Sequence, residues 1–172
     1  MKTLIHDGNC SSIPITGNHR TQFYFIDFVY DQYDEDSIKK LIKKNKRVTI
    51  IDHHISKERV TKLTQDYSYS INHSGAVLSW MFFHKDKPIP LLLRYIEDGD
   101  LWKFKLTDTD SVVTYVSSVD YDFTVWDSIV LDIENDEKRK EYIAKGALMV
   151  GYKEEMIKKI IEENKKISLE LE

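Results

Sequence analysis

The sequence predicts an α/β fold: a Rossmann-like three-layer domain with a mostly parallel sheet, followed by a C-terminal helical tail. Two observations carry the prediction. Short β-branched and aromatic runs alternate with an amphipathic segment of helical period, and the chain from about residue 134 onward repeats its apolar positions at a helical spacing. The 172 residues suffice for one domain with a sizeable core and a small appendage, and the reading divides them at 1–130 and 131–172.

In chain order, Thr3–His6 reads as a short buried strand that runs into a loop broken by Gly8, Pro14 and Gly17. Residues 22–28, Gln-Phe-Tyr-Phe-Ile-Asp-Phe, are too short and too aromatic for a helix and predict a buried strand with Asp27 near its end. Asp34, Asp36 or Ser37 caps a helix over 36–45, whose apolar side carries Ile38, Leu41 and Ile42. Arg47–Ile51 is the next strand, and Asp52-His53-His54 follows it directly. Strand, helix, strand implies a parallel pair joined by a crossover. In open α/β sheets ligands bind beyond the carboxyl ends of the strands, so His6, Asp27 and the 52–54 run fall on one functional edge.

Farther on, an apolar helix opens at His73-Ser-Gly-Ala, and another runs from about Pro90 to Ile96 and ends at Glu97-Asp-Gly-Asp. Residues 107–128 read as mixed structure, with Phe123-Thr-Val-Trp126 packed on the core. In the tail, Tyr142, Ile143, Leu148, Met149, Met156, Ile157, Ile160 and Ile161 recur at helical spacing, with Gly146 and Gly151 as interruptions. That stripe predicts a packing surface and a homo-oligomer formed through the C-terminal helix.

Composition narrows the function classes. Apolar residues make up 41% and charged residues 31%, a globular balance rather than a disordered one. A net charge of −4 gives no bulk reason to bind long duplex nucleic acid. The single cysteine, Cys10, precludes an internal disulfide and fits a reducing, cytoplasmic setting. The start of the chain has no apolar stretch of signal-peptide type, and no run approaches the ~18 apolar residues of a membrane span.

Imidazole and carboxylate together are ligands for manganese, magnesium or zinc. Asp27, His53, His54 and Asp98 supply such a set, with His6 as a fifth candidate and Asp52 as a partner that orients an imidazole. Neighbouring residues leaving a strand point to opposite sides, so one of His53 and His54 is expected to ligate while the other meets a substrate phosphate.

These residues carry a family resemblance. Ile51-Asp-His-His-Ile-Ser56, after a Val-Thr-Ile strand, resembles the signature of the DHH phosphoesterases, which include RecJ-type exonucleases, oligoribonucleases, cyclic-dinucleotide phosphodiesterases and family II pyrophosphatases. Phe25-Ile-Asp27-Phe28 resembles the family's second motif, Asn72–Trp80 the helix start after the signature, and Tyr95–Trp102 the fourth motif. Phe123–Trp126 also recurs among small members, and the likeness spans about residues 22–150.

The resemblance implies that Asp27 bridges two metal ions, that His53 and Asp98 complete one ion's shell, and that His54 contacts the phosphate with Asp52 in support. It implies a manganese-dependent hydrolase, with magnesium or zinc as substitutes, acting through metal-activated water on a small phosphodiester or phosphoester such as a nucleotide, short oligonucleotide or cyclic nucleotide. His73 is expected at the mouth of the site.

The first motif departs from the family pattern. His6-Asp-Gly-Asn-Cys10-Ser-Ser12 places Ser12 where the second carboxylate stands, which leaves Asp7, Cys10 and Asp100 as substitute ligands. No Gly-Gly-Gly-His run of the family's C-terminal substrate-binding domain occurs. Both departures motivate an alternative: a degenerate DHH protein that binds a nucleotide or a protein partner without catalysis.

Overall fold

The computed structural model describes residues 22–29, 35–45 and 47–164. It has a mixed α/β architecture whose chain forms two compact units, one ending at Ile89 and the other beginning at Pro90. The expected strand at residues 3–6 lies outside the described residues.

In the first unit, β1 (Gln22–Ile26), β2 (Arg47–Asp52) and β3 (Asp66–Tyr69) form a parallel sheet in the order β1-β2-β3. The register sets Ile26 beside Ile51 and Asp52 beside Tyr69. The central strand β2 is buried from Val48 to Asp52, which is why it reads as a continuous apolar run rather than an alternating one. β3 went unpredicted. Its sequence, Asp-Tyr-Ser-Tyr, has no apolar run, and it is a strand because its backbone pairs with residues 49–52.

α1 (Glu35–Lys44) joins β1 to β2. It carries Glu35 and Asp36 in its first turn and Lys43 and Lys44 in its last, the arrangement that complements the helix dipole. Ile38 and Leu41 are its buried contacts, and the Asn45 side chain donates to the Leu41 carbonyl at 2.8 Å to close its end. α2 (Glu58–Thr61) and α3 (Gly75–Phe83) also pack against β2. Phe23, Phe25, Val29, Ile38, Leu41, Val48 and Ile50 make the core.

The second unit is helical: α4 (Leu91–Asp100), α5 (Thr109–Ser117), α6 (Phe123–Glu134) and α7 (Asp136–Asn164). Leu92, Tyr95, Val112, Val116, Ile129 and Ile133 form its core, and Tyr142 and Ile143 of α7 pack on it. The segment expected to be mixed is thus two helices. Residues 131–164 do not stand apart as a tail, because α7 shares this core with α4 and α5, and the division between units falls at 89/90.

α7 also runs through both glycines that were expected to interrupt it. Gly146 is there for packing: a Cβ would sit 2.9 Å from Ser111 Cα and nearer still to the Ser111 carbonyl. Gly151 faces open space, with nothing within 4 Å of an added Cβ. The same substitution should therefore have opposite effects. Gly146→Ala should lower stability by about 1–3 kcal/mol by forcing α7 away from α5. Gly151→Ala should raise it by about 0.5–1 kcal/mol through helix propensity. Thermal and denaturant unfolding followed by circular dichroism reads both signs, and a destabilising Gly151→Ala would mean that α7 bends there.

Candidate functional site

The site is built where β1 and β2 end side by side. The Asp27 amide donates to the Ile51 carbonyl at 2.8 Å and so extends the ladder one step beyond β1. Asp27 then takes a left-handed backbone conformation (φ 59°), which aspartate tolerates better than most residues. This redirects its side chain off the strand and onto the first turn of α3. A Cβ on Gly75 would lie 2.5 Å from the Asp27 Cβ and closer still to the carboxylate, so only glycine admits the approach. Ser74 caps α3 by accepting from the Val77 amide at 3.2 Å. A carboxylate at a helix N-terminus is electrostatically favoured.

His53 and His54 follow β2. The His53 Nε2 lies 3.2 Å from Asp27 Oδ1. Asp52, fully buried, receives both the His54 amide (2.9 Å) and His54 Nδ1 (2.7 Å) on one carboxylate oxygen. An ionised carboxylate only accepts, so Nδ1 carries the proton and a neutral His54 keeps its Nε2 lone pair for a ligand. Among the described residues, no hydrogen-bond donor reaches the other Asp52 oxygen. Beside Asp52 in the register, Tyr69 keeps its hydroxyl proton: burial, then the Glu58 charge, push its pKa up against the opposing pull of Lys62.

The two imidazoles do not diverge as alternation along a strand predicts. The extended run stops at Asp52, and their ring centroids stand 4.4 Å apart, edge to face. One ligand atom from each of Asp27, His53 and His54 lies within 4.8 Å of the other two. Donor atoms bound to one divalent ion at ~2.1 Å and roughly right angles stand ~3 Å apart, close to the 3.2 Å between His53 and Asp27. The mixed nitrogen and oxygen donors also suit manganese or zinc. The residues present therefore fit an ion of this class. Beside them a cleft of about 150 Å³ is lined by Asp27, Phe28, Val29, His54, Ser56 and Lys57.

His6, Asp7 and Cys10 fall outside the described residues. His73 is half-buried in the loop ahead of α3. Asp98 and Asp100 belong to the second unit. Asp100 is exposed at the end of α4. Asp98 is buried, and its carboxylate accepts from the Lys105 amide (2.9 Å), the Leu106 amide (3.0 Å) and the Thr109 hydroxyl (2.6 Å). Burial alone would raise its pKa, but these bonds and the Lys103 charge together hold it below the usual carboxylate value. Sequence reasoning missed Gly75 and Lys57. A Ser-Gly pair opening an apolar helix was a usable signal for the first, and nothing in the local pattern marks the second.

No family model matches the chain, and no solved structure matches it. The chain is similar to an uncharacterized protein of Acanthamoeba polyphaga mimivirus, with 28% identity over 100 residues. That stretch covers 57% of this chain and 24% of the viral protein, so the chain spans about a quarter of that relative's length.

Proposed function

We propose that this chain is a DHH-type, metal-dependent phosphoesterase that hydrolyses a small phosphoester or phosphodiester: a nucleotide, a short oligonucleotide or a cyclic nucleotide. The observation that carries the reading is the convergence of Asp27, His53 and His54 at the carboxyl ends of adjacent parallel strands. In this reading the parallel sheet and its helices are part of a Rossmann-like three-layer domain, and the protein works in the cytoplasm. Among the described residues no helix is long and apolar enough to cross a membrane.

Asp27 and His53 would hold a divalent ion, manganese first and magnesium or zinc as substitutes. A bound ion would supply Lewis-acid activation of water and of a phosphoryl oxygen. The chain's own residues do the rest. Asp52 fixes the His54 tautomer and aims its Nε2 outward. Lys57, on the cleft wall, offers positive charge to an anionic substrate, offsetting a chain whose net charge is −4. The N-terminus of α3 steadies Asp27.

The test is hydrolysis of bis-p-nitrophenyl phosphate and of short dinucleotides by purified protein, with manganese and after chelation. Turnover that needs the metal supports the reading, and its absence with every divalent ion rejects it. Gly75→Ala probes the local geometry. The methyl group would displace the Asp27 carboxylate, so hydrolysis should fall by about 10- to 100-fold. Helical content should stay near wild type, because Ala favours helix over Gly. Unchanged kcat/KM in this variant would remove Asp27 from the site.

A further inference from the structure

α7 outruns the bundle that it belongs to. Its first half is anchored: Tyr142 and Ile143 pack on the core, Gly146 lies against Ser111, and the Ser118 hydroxyl meets the Met149 sulfur at 3.8 Å. From Gly151 to Glu163 every side chain is exposed. Yet this half carries Met156, Ile157, Ile160 and Ile161, at 39%, 46%, 53% and 54% exposure. A helical stretch this short is marginal by itself in water, and four large apolar side chains have no reason to sit there unless something covers them.

The charges around them say what fits. At 3.6 residues per turn, Met149, Lys153, Met156, Ile157 and Ile160 share one side of the helix, where the aliphatic stem of Lys153 can lie along the apolar stripe with its charge in water. They are flanked by like-charged neighbours in blocks of alternating sign: Glu154-Glu155, Lys158-Lys159 and Glu162-Glu163. An antiparallel pair of these helices, centred between Met156 and Ile157, sets each Glu154-Glu155 block beside a Lys158-Lys159 block. Glu155 then faces Lys159 along one flank and Glu154 faces Lys158 along the other, while the Met and Ile side chains meet in the seam. A parallel pair in register would instead set like blocks side by side, which is repulsive.

We propose that the exposed half of α7 is a homodimer interface in which a second copy of this chain packs antiparallel across Met156 and Ile157. The paired stretch is only ~20 Å long, so the contact lies at the small end of stable interfaces and should associate in the micromolar range.

Sedimentation velocity on the full chain from about 1 to 500 µM should show a monomer–dimer equilibrium with a micromolar midpoint. Glu154→Lys/Glu155→Lys makes all four facing positions, 154, 155, 158 and 159, lysine, and Lys158→Glu/Lys159→Glu makes the same four glutamate. Each variant alone should weaken dimerisation by about tenfold or more, and an equimolar mixture should recover it as a heterodimer. All these positions are exposed, so helical circular dichroism should match wild type, and heterodimer formation itself reports that both variants are folded. Three results overturn the proposal: a wild type that stays monomeric throughout, variants that dimerise as wild type does, or a mixture that stays as monomeric as its components.

Discussion

His53→Ala should lower manganese-dependent phosphodiester hydrolysis by about 100-fold or more and leave the fold intact. Residues that merely orient a metal ligand cost about 10- to 100-fold in affinity or activity when removed, so loss of a ligand sets the upper end as the floor. The His53 side chain is 12% exposed and stands 3.2 Å from Asp27, so its removal takes an imidazole nitrogen out of the donor set. Isothermal titration with manganese should show the same loss in affinity, because binding and turnover depend on the same atoms. Asp52→Asn is the graded companion. It keeps an acceptor for the His54 amide but can also present its NH2 to the ring, so the tautomer is no longer enforced and affinity should fall by about 10- to 100-fold. His53→Ala with wild-type kcat/KM would end the phosphoesterase reading. Wild-type protein that binds manganese and a nucleotide without turnover would turn the reading toward the degenerate binder.

What the sequence disclosed about this site is positional. A run of five buried residues ending in Asp-His-His announces a central strand and what hangs from its end, and both follow from hydropathy and spacing. The same logic found β1, though it carried the strand through Asp27 to residue 28 where it ends at Ile26. Hidden were the features that depend on direction. The positive φ of Asp27 is one backbone rotation that no residue pattern records, and it decides that the carboxylate meets Gly75 and His53. The two rings were expected to part because strand alternation was carried one residue too far. β3 was missed because its pairing with β2 is non-local. Gly146 misled for the opposite reason: its intrinsic cost in a helix is only about 1 kcal/mol, and the close crossing at Ser111 that requires it is a tertiary fact.

Asp98→Ala should destabilise the second unit by about 3 kcal/mol, whatever it does to catalysis. The carboxylate is buried, and three donors from residues 105–109 converge on it, while its main-chain carbonyl accepts from Lys103 and Phe104. Truncation takes the acceptor from the Lys105 and Leu106 amides and leaves the buried Thr109 hydroxyl only the Leu106 carbonyl, and hydrogen bonds to a charged group are worth about 1.5–3 kcal/mol each before relaxation. The loop they organise includes Phe104 and Asp108, both in left-handed backbone conformations that need outside support. Native-state hydrogen exchange should report the loss locally, with the Lys105 and Leu106 amides losing protection first. The pH dependence has a defined sign. Folding lowers the Asp98 pKa, so its contribution is present above the ordinary value of 3.8 and is lost as pH falls through the lower folded-state value. Wild-type protein should lose this stability in acid, and Asp98→Ala should have a flatter profile there. The sequence resemblance makes Asp98 a metal ligand, and the same variant separates the two roles. Lost manganese affinity with amide protection retained at Lys105 and Leu106 would make it a ligand first. Lost protection with manganese affinity unchanged would make it the anchor of the 101–109 loop.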